Sequence, residues 1–172
     1  EIKDLICYLR LILNHDDEIS LRRVINVPKR GIGAKSIEDL AKKATLENIS
    51  MFEALSKGKE LDFKELILNL NKEAENLSLT ELIDHILDKS GIKKELTSSK
   101  LLEDEIRLEN LNEFKSITKS YEEEFGIISI DDFLNEISLV SDISEHQDGN
   151  NKVSLMTIHS VKGLEFDHVF LI

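Results

Sequence analysis

Apolar residues recur at helical spacing through most of this 172-residue chain. Clear stripes follow Ser78 and Ser129, and another fills the segment from Glu1 to Leu13. Apolar residues three and four positions apart share one face of an α-helix, and such faces are normally buried against other helices. The pattern therefore predicts a mainly α-helical protein, in which each stripe is interpreted first as core packing.

The first stripe consists of Ile2, Leu5, Ile6, Leu9, Ile12 and Leu13. Cys7 and Leu11 lie on the opposite side of the same predicted helix. A helix that is apolar on both sides expects neighbours on both sides. Two scattered apolar residues at a surface would explain the pattern equally well.

Polar residues indicate where several helices begin and end. Ser50, Ser78 and Ser129 are each followed three residues later by an acidic residue, which is the pattern of a capping box. The helix after Ser78 should stop at Gly91, because glycine is favoured just past a helix end. A longer helix is expected over about 101–124. Its predicted inward residues are Ile106, Leu111, Phe114, Ile117 and Tyr121.

The net charge of −12 argues against a protein that coats nucleic acid. Residues 21–43, however, hold seven basic and two acidic side chains, so this segment carries +5 and the remainder −17. One basic edge on an acidic body would orient DNA and repel it elsewhere. A solvated basic helix end explains the same pattern without any ligand.

Composition excludes several other classes of protein. The single cysteine, Cys7, cannot form an internal disulfide, which fits a reducing cytoplasm. The five histidines lack ligand spacing, so no metal site is predicted. No apolar run approaches the roughly 18 residues of a membrane span, and no signal peptide is recognised. A cytoplasmic protein without a membrane association is therefore expected.

A glycine-containing basic segment follows Pro28, which disfavours helix at Val27. Its glycines permit a tight turn and close backbone approach to a ligand, and a helix is predicted from about Ala34. Free amides at that helix start would suit a DNA phosphate. The candidate duplex-DNA contacts are Lys29, Arg30, Gly31, Ile32, Gly33, Lys35 and Ser36.

Two alternatives exist for this segment. It half-matches a dinucleotide-binding fingerprint, but no predicted strand precedes it and Ser36 stands where the third glycine belongs. A corner between two helices, with glycines serving geometry alone, would need no ligand.

The last twenty residues contain two strand-like runs, 153–158 and 168–172, around a polar turn at 159–163. Side chains at the end of a buried strand lie where open sheets tend to bind ligands. The string VSLMTIHSVKGLEF resembles motif V of the superfamily 1 DNA helicases of the UvrD/PcrA/Rep family, usually written close to LMTxHxAKGLEF. Val161 replaces the alanine of that motif.

The resemblance extends over most of the chain. Residues 1–17 resemble the helix after motif IV, and residues 19–33 resemble the start of domain 2B. Residues 107–119 and 130–144 resemble later helices of domain 2B, while residues 57–76 match least.

The resemblance implies a helical 2B-like domain with a small parallel β remnant of the RecA-like domain 2A at the C-terminus. Residues 1–20 would be the N-terminal helix of the 2A part, residues 21–150 domain 2B, and residues 151–172 the strand–turn–strand of motif V. A loop at 141–151 and a hinge near 21–28 would form a two-stranded tether that lets the domain rotate.

The family also implies roles for individual residues. The Gly-Ile-Gly element contacts duplex DNA in such helicases. By the same resemblance, Thr157 and His159 would contact single-stranded DNA, whereas Lys162, Gly163 and Glu165 would couple the site to the nucleotide. A structural strand-end role for His159 and an exposed turn carboxylate at Glu165 are the alternatives.

The function expected is a duplex-binding and regulatory domain of an ATP-dependent 3′-to-5′ DNA helicase acting in DNA repair or replication. ATP and Mg would serve the parent protein. This chain lacks the phosphate loop G-x-x-x-x-G-K-[ST], so it is expected to be inactive alone, with no catalytic residues and no bound cofactor.

A duplex–single-strand junction is the expected partner. Exposed edges of the C-terminal strands predict self-association of the fragment through these strands, or fraying of them. The alternative function is an acidic helical protein-interaction module that docks repair or transcription proteins.

Overall fold

The computed structural model describes residues 1–126, 128–137 and 168–170, and its regular structure is helical. The helices are α1 (Ile2–Leu13), α2 (Glu18–Val24), α3 (Ala34–Glu47), α4 (Met51–Ala54), α5 (Gly58–Ala74), α6 (Leu79–Ser90), α7 (Ile92–Ser98) and α8 (Leu102–Phe125). A further helical segment, α9, covers 130–137. The mainly α prediction is confirmed for this part of the chain.

Helix α1 is the centre of the core. It packs against α2, α5, α6 and α8, and Leu5, Leu9, Leu11 and Ile12 are fully buried. Leu11 is buried and Cys7 is partly buried, so of the two interpretations of this face the structure favours a helix with neighbours on both sides. Leu13, by contrast, is 48% exposed, so the predicted stripe extends one residue too far.

The predicted helix caps are present. Ser50 and Ser78 both form complete capping boxes with the glutamate three residues later. Ser129 Oγ accepts a hydrogen bond from the Asp132 amide at 3.1 Å at the start of α9. Gly91 ends α6 with φ +90°, the left-handed conformation that glycine adopts without steric cost.

Helix α8 matches its predicted position but not its whole predicted face. Leu111 is buried, whereas Ile106 and Ile117 are 48% and 57% exposed. At 3.6 residues per turn, these two positions lie about 140° and 120° away from Leu111 around the helix. The prediction was therefore wrong for both isoleucines, and Thr118 occupies the buried face instead.

The chain divides into two compact units, Glu1–Ser138 and Leu139–Ile172. The first contains α1 to α9, so no break in packing separates residues 1–20 from the helices that follow, and a domain boundary there stays a prediction. In the second unit, His168–Phe170 is exposed and lies outside any regular element. The strand predicted from His168 is therefore not confirmed over 168–170. The strand predicted at 153–158 and the loop predicted at 141–151 lie outside the described residues.

Within the described part of the chain, no helix is both long and apolar enough to span a membrane.

Candidate nucleic-acid interface

The segment between α2 and α3, residues 26–33, is named the glycine loop. Asn26 organises it, because its Oδ1 accepts hydrogen bonds from the Arg30 amide at 2.8 Å and the Ile32 amide at 3.2 Å. The Val27–Pro28 peptide bond is cis. Ile32 is 2% exposed and anchors the loop to the core. Of the predicted DNA contacts, Ile32 therefore has its side chain in the core and its amide hydrogen-bonded to Asn26.

The Arg30 guanidinium points into the protein. Its Nη1 donates to the Val27 carbonyl at 2.8 Å, and its Nη2 donates to Tyr8 Oη at 2.7 Å and to the Ser90 carbonyl at 3.0 Å. Its Cζ lies 5.2 Å from the centroid of the Phe63 ring. These contacts join the glycine loop to α1, α5 and α6. The sequence predicted a phosphate contact for Arg30, whereas this geometry makes it a residue that holds the loop in shape.

Tyr8 completes that internal network. Its hydroxyl donates to the Val27 carbonyl at 2.6 Å. Burial raises the pKa of Tyr8 to about 12, although the nearby Arg30 cation acts in the opposite direction. The hydroxyl therefore remains protonated at neutral pH, so that it can donate to Val27 while accepting from Arg30.

The two glycine positions of the loop differ in whether the structure requires a glycine there. Gly31 has φ +77°, and a Cβ there would lie 2.8 Å from Lys59 Nζ. Gly33 has φ −83° and ψ 175°, and a Cβ there would meet nothing within 4 Å. Corner geometry therefore explains Gly31. Neither backbone conformation nor packing within the described residues requires a glycine at Gly33.

The start of α3 carries no side-chain cap. Gly33 is the N-cap residue, and the first turn of α3 contains no acidic residue. Gly33 and the neighbouring Lys29 and Lys35 are exposed, while Ser36 is partly buried. Amides at a helix start combine unsatisfied donors with the positive end of the helix dipole. This end of α3 can therefore accept an anion.

Several charges of the basic segment 21–43 have partners within the protein. Arg22 pairs with Glu18, Arg23 pairs with Asp4 at 2.7 Å, and Lys43 Nζ donates to the Ala54 carbonyl at 3.0 Å. Among the described residues, Lys29 and Lys35 have no such ion pair or hydrogen bond through their side chains. The available positive charge is thus concentrated at the glycine loop.

Helix α5 also contributes to this interface, although its sequence was not predicted to do so. Lys59 and Phe63 lie one helical turn apart on α5, and both face the glycine loop, as the contacts of Gly31 and Arg30 show. Residues 57–76 resemble the helicase family least, so the resemblance does not point to this helix. The pattern that could have indicated this contribution is Lys57-Gly58-Lys59, a second basic, glycine-containing turn just before a helix.

The motif V residues Thr157, His159, Lys162, Gly163 and Glu165 lie outside the described residues. Over the described ranges, no group of histidine, cysteine, aspartate or glutamate side chains could hold a metal ion.

Comparisons with known proteins agree with the resemblance drawn from motif V. The family described as UvrD-like helicase C-terminal domain matches residues 1–172. A protein named ATP-dependent DNA helicase PcrA from Staphylococcus epidermidis is 48% identical over 184 aligned residues, which cover 99% of this chain and 25% of that protein. Its namesake from Staphylococcus aureus is 47% identical with the same coverage. The chain thus spans about a quarter of the length of the curated relatives it matches. Because the family match covers every residue, this chain belongs to the UvrD-like helicase C-terminal domain family.

Proposed function

We propose that this chain is the duplex-DNA-binding and regulatory part of an ATP-dependent 3′-to-5′ DNA helicase that acts in DNA repair or replication. Relatives that match it along its whole length are named ATP-dependent DNA helicases. The observation that carries the proposal is Gly33, an exposed residue at an uncapped helix start, where nothing in the described part of the chain requires a glycine. Such a position leaves room for a phosphate to reach the backbone amides.

The binding chemistry follows from the groups around Gly33. The free amides at the start of α3 would donate to phosphate oxygens, and the ammonium groups of Lys29 and Lys35 would neutralise phosphate charge. None of these groups distinguishes one base from another, so the loop would grip the duplex backbone without reading sequence. Arg30 acts from the inside, because a loop held in its binding shape avoids an ordering cost when the ligand arrives.

The motif V residues keep their proposed roles. Thr157 and His159 would contact single-stranded DNA, and Lys162, Gly163 and Glu165 would couple that contact to the nucleotide. ATP and Mg would act in the parent protein, where they supply phosphoryl-transfer chemistry. Since this chain has no phosphate loop, it should show no phosphate release above buffer background, even with single-stranded DNA.

Fluorescence anisotropy with a tailed duplex tests the binding proposal. We expect the double variant Lys29→Glu/Lys35→Glu to bind at least roughly tenfold more weakly, because two attractive charges become repulsive. The matched control is Lys72→Glu/Lys119→Glu, which makes the same change in net charge at exposed lysines of α5 and α8. Circular dichroism and urea unfolding establish that both variants are folded.

Equal binding by the two double variants would contradict the proposal, because affinity would then depend on net charge alone. Duplex binding that neither variant affects, together with DNA-independent capture of repair or transcription proteins, would favour the acidic interaction module instead.

A further inference from the structure

We infer that Lys59, at the start of α5, is a further phosphate-binding residue, so that a duplex phosphate is held between Lys59 and the glycine loop. This inference rests on the proposed function and extends the duplex-binding surface to a second helix. It concerns a residue in the part of the sequence where the family resemblance is weakest.

The position of Lys59 is fixed by the packing of α5 against the loop. Phe63 is 1% exposed, and the Arg30 guanidinium lies 5.2 Å above its ring. Lys59 is one turn before Phe63 on the same face of the helix. It reaches Gly31, where its Nζ lies 2.8 Å from the position that a Cβ would occupy. The missing side chain of Gly31 therefore makes room for the Lys59 ammonium directly against the loop backbone.

Several lysines of the protein have a partner within it, whereas Lys59 has none among the described residues. Lys89 pairs with Glu73, Lys115 pairs with Asp84 at 2.9 Å, and Lys64 donates to the Glu53 carbonyl at 3.2 Å. Within the described residues, the exposed Lys59 ammonium has neither an ion pair nor a hydrogen bond. It adds a third uncompensated cation beside Lys29 and Lys35.

Three like charges around one short loop repel each other, and a bound anion would offset that repulsion. A lysine ammonium is a compact charge with three donors on a flexible stem, so it can follow a phosphate without demanding one geometry. Under the proposed function, this anion is a phosphate of the duplex backbone. Contact through Lys59 would not depend on base sequence.

The test measures duplex affinity between about 50 mM and about 200 mM salt, where each neutralised phosphate contributes about 0.9 to the log–log slope. Lys59→Gln should weaken binding roughly fivefold at the lower salt and reduce that slope by about 0.9. Lys59→Arg keeps the charge and should restore both values. Lys72→Gln, at the other end of α5, is the matched control and should leave both unchanged.

The outcomes separate this inference from the proposed function. If Lys29→Glu/Lys35→Glu weakens binding selectively while Lys59→Gln changes neither affinity nor slope, the role of Lys59 is overturned and the proposed function stands. If Lys59→Gln weakens binding without changing the slope, Lys59 only supports the loop, and the inference is again overturned. If the unsubstituted chain binds no duplex at the lower salt, both fail.

Discussion

Arg30 Nη2 donates a hydrogen bond to Tyr8 Oη at 2.7 Å, and this hydroxyl donates in turn to the Val27 carbonyl at 2.6 Å. Tyr8 is fully buried in the core. The exposed Lys29 and Gly33 therefore belong to a loop whose inner side is fixed by the core. The shape of the proposed phosphate site and the stability of the helical unit thus depend on the same hydrogen bonds.

The first prediction concerns alkaline pH. Burial raises the pKa of Tyr8 to about 12 in the folded protein, whereas an unfolded tyrosine has a pKa of about 10. The stability that comes from keeping Tyr8 protonated is therefore complete below about pH 10 and is lost as pH rises towards about 12. The loss should amount to about 2–3 kcal/mol of unfolding free energy.

Urea unfolding of the parent chain and Tyr8→Phe at several pH values measures this effect. Other groups that titrate at alkaline pH are common to both proteins. They include Tyr121, whose pKa is also raised, mainly by burial. The parent should therefore lose more stability than Tyr8→Phe over this pH range. Parallel stability curves for the two proteins would contradict the prediction.

The second prediction separates support of the loop from phosphate binding. Arg30→Gln removes the donors to the Val27 and Ser90 carbonyls and to Tyr8 Oη, and it should lower the free energy of unfolding by about 3 kcal/mol or more. Lys29→Gln, at the exposed neighbouring position, should change it by less than about 0.5 kcal/mol.

Urea midpoints and duplex affinity are measured for both variants. A fully stable Arg30→Gln protein that binds duplex poorly would show that Arg30 contacts phosphate, as its sequence position first predicted.

Local sequence patterns predicted where several helices begin or end, because the groups that begin and end a helix lie within a few residues of one another. The Ser78 capping box and the Gly91 stop are examples. The role of Arg30 could not be predicted in this way. A basic residue beside two glycines has the same local pattern whether it faces solvent or the core, and here the acceptors that draw it inward include Ser90, sixty residues away.

The apolar pattern had a related limit. Ile106 and Ile117 have the residue type of a core position but lie on the solvent side of α8. The packing of α8 against α1, α6 and α7 determines which face is buried. The local pattern around Lys59 likewise could not predict its position beside the glycine loop. Lys59 lies against Gly31, which precedes it by 28 positions in the sequence.

The third prediction concerns a helix cap supplied from a distance. Glu122 of α8 accepts hydrogen bonds from the Leu79 amide at 2.6 Å and from the Thr80 amide at 3.3 Å, at the start of α6. A carboxylate there satisfies free amides and interacts favourably with the helix dipole. Glu122→Ala should therefore lower the free energy of unfolding by about 1–2 kcal/mol.

Glu123→Ala is the matched control, because that side chain is largely exposed and lies 4.0 Å from Lys119. It should change stability by less than about 0.5 kcal/mol. Thermal or urea unfolding compares the stability of the two variants. Equal stability would rule out a capping role for Glu122.

The last prediction is that stability and DNA binding change in opposite directions at Gly33. Serine is a better N-cap than glycine, because its Oγ accepts a hydrogen bond from the first free amides. The backbone of Gly33 suits any residue, and its Cβ position is open. Gly33→Ser should raise the free energy of unfolding by roughly 0.5–1 kcal/mol. It should also weaken duplex binding, because the hydroxyl would occupy the amides that a phosphate needs and the Cβ would narrow its approach.

Gly33→Ala provides the control for this variant, since it adds the Cβ without the capping oxygen. It should weaken binding less than serine does and should not gain the stability of a cap. Fluorescence anisotropy gives the duplex affinity of each protein, and urea unfolding gives its free energy of unfolding. A serine variant that is more stable and binds duplex as tightly as the parent would show that the amides at the start of α3 do not contact phosphate. Binding would then depend on the lysine side chains alone.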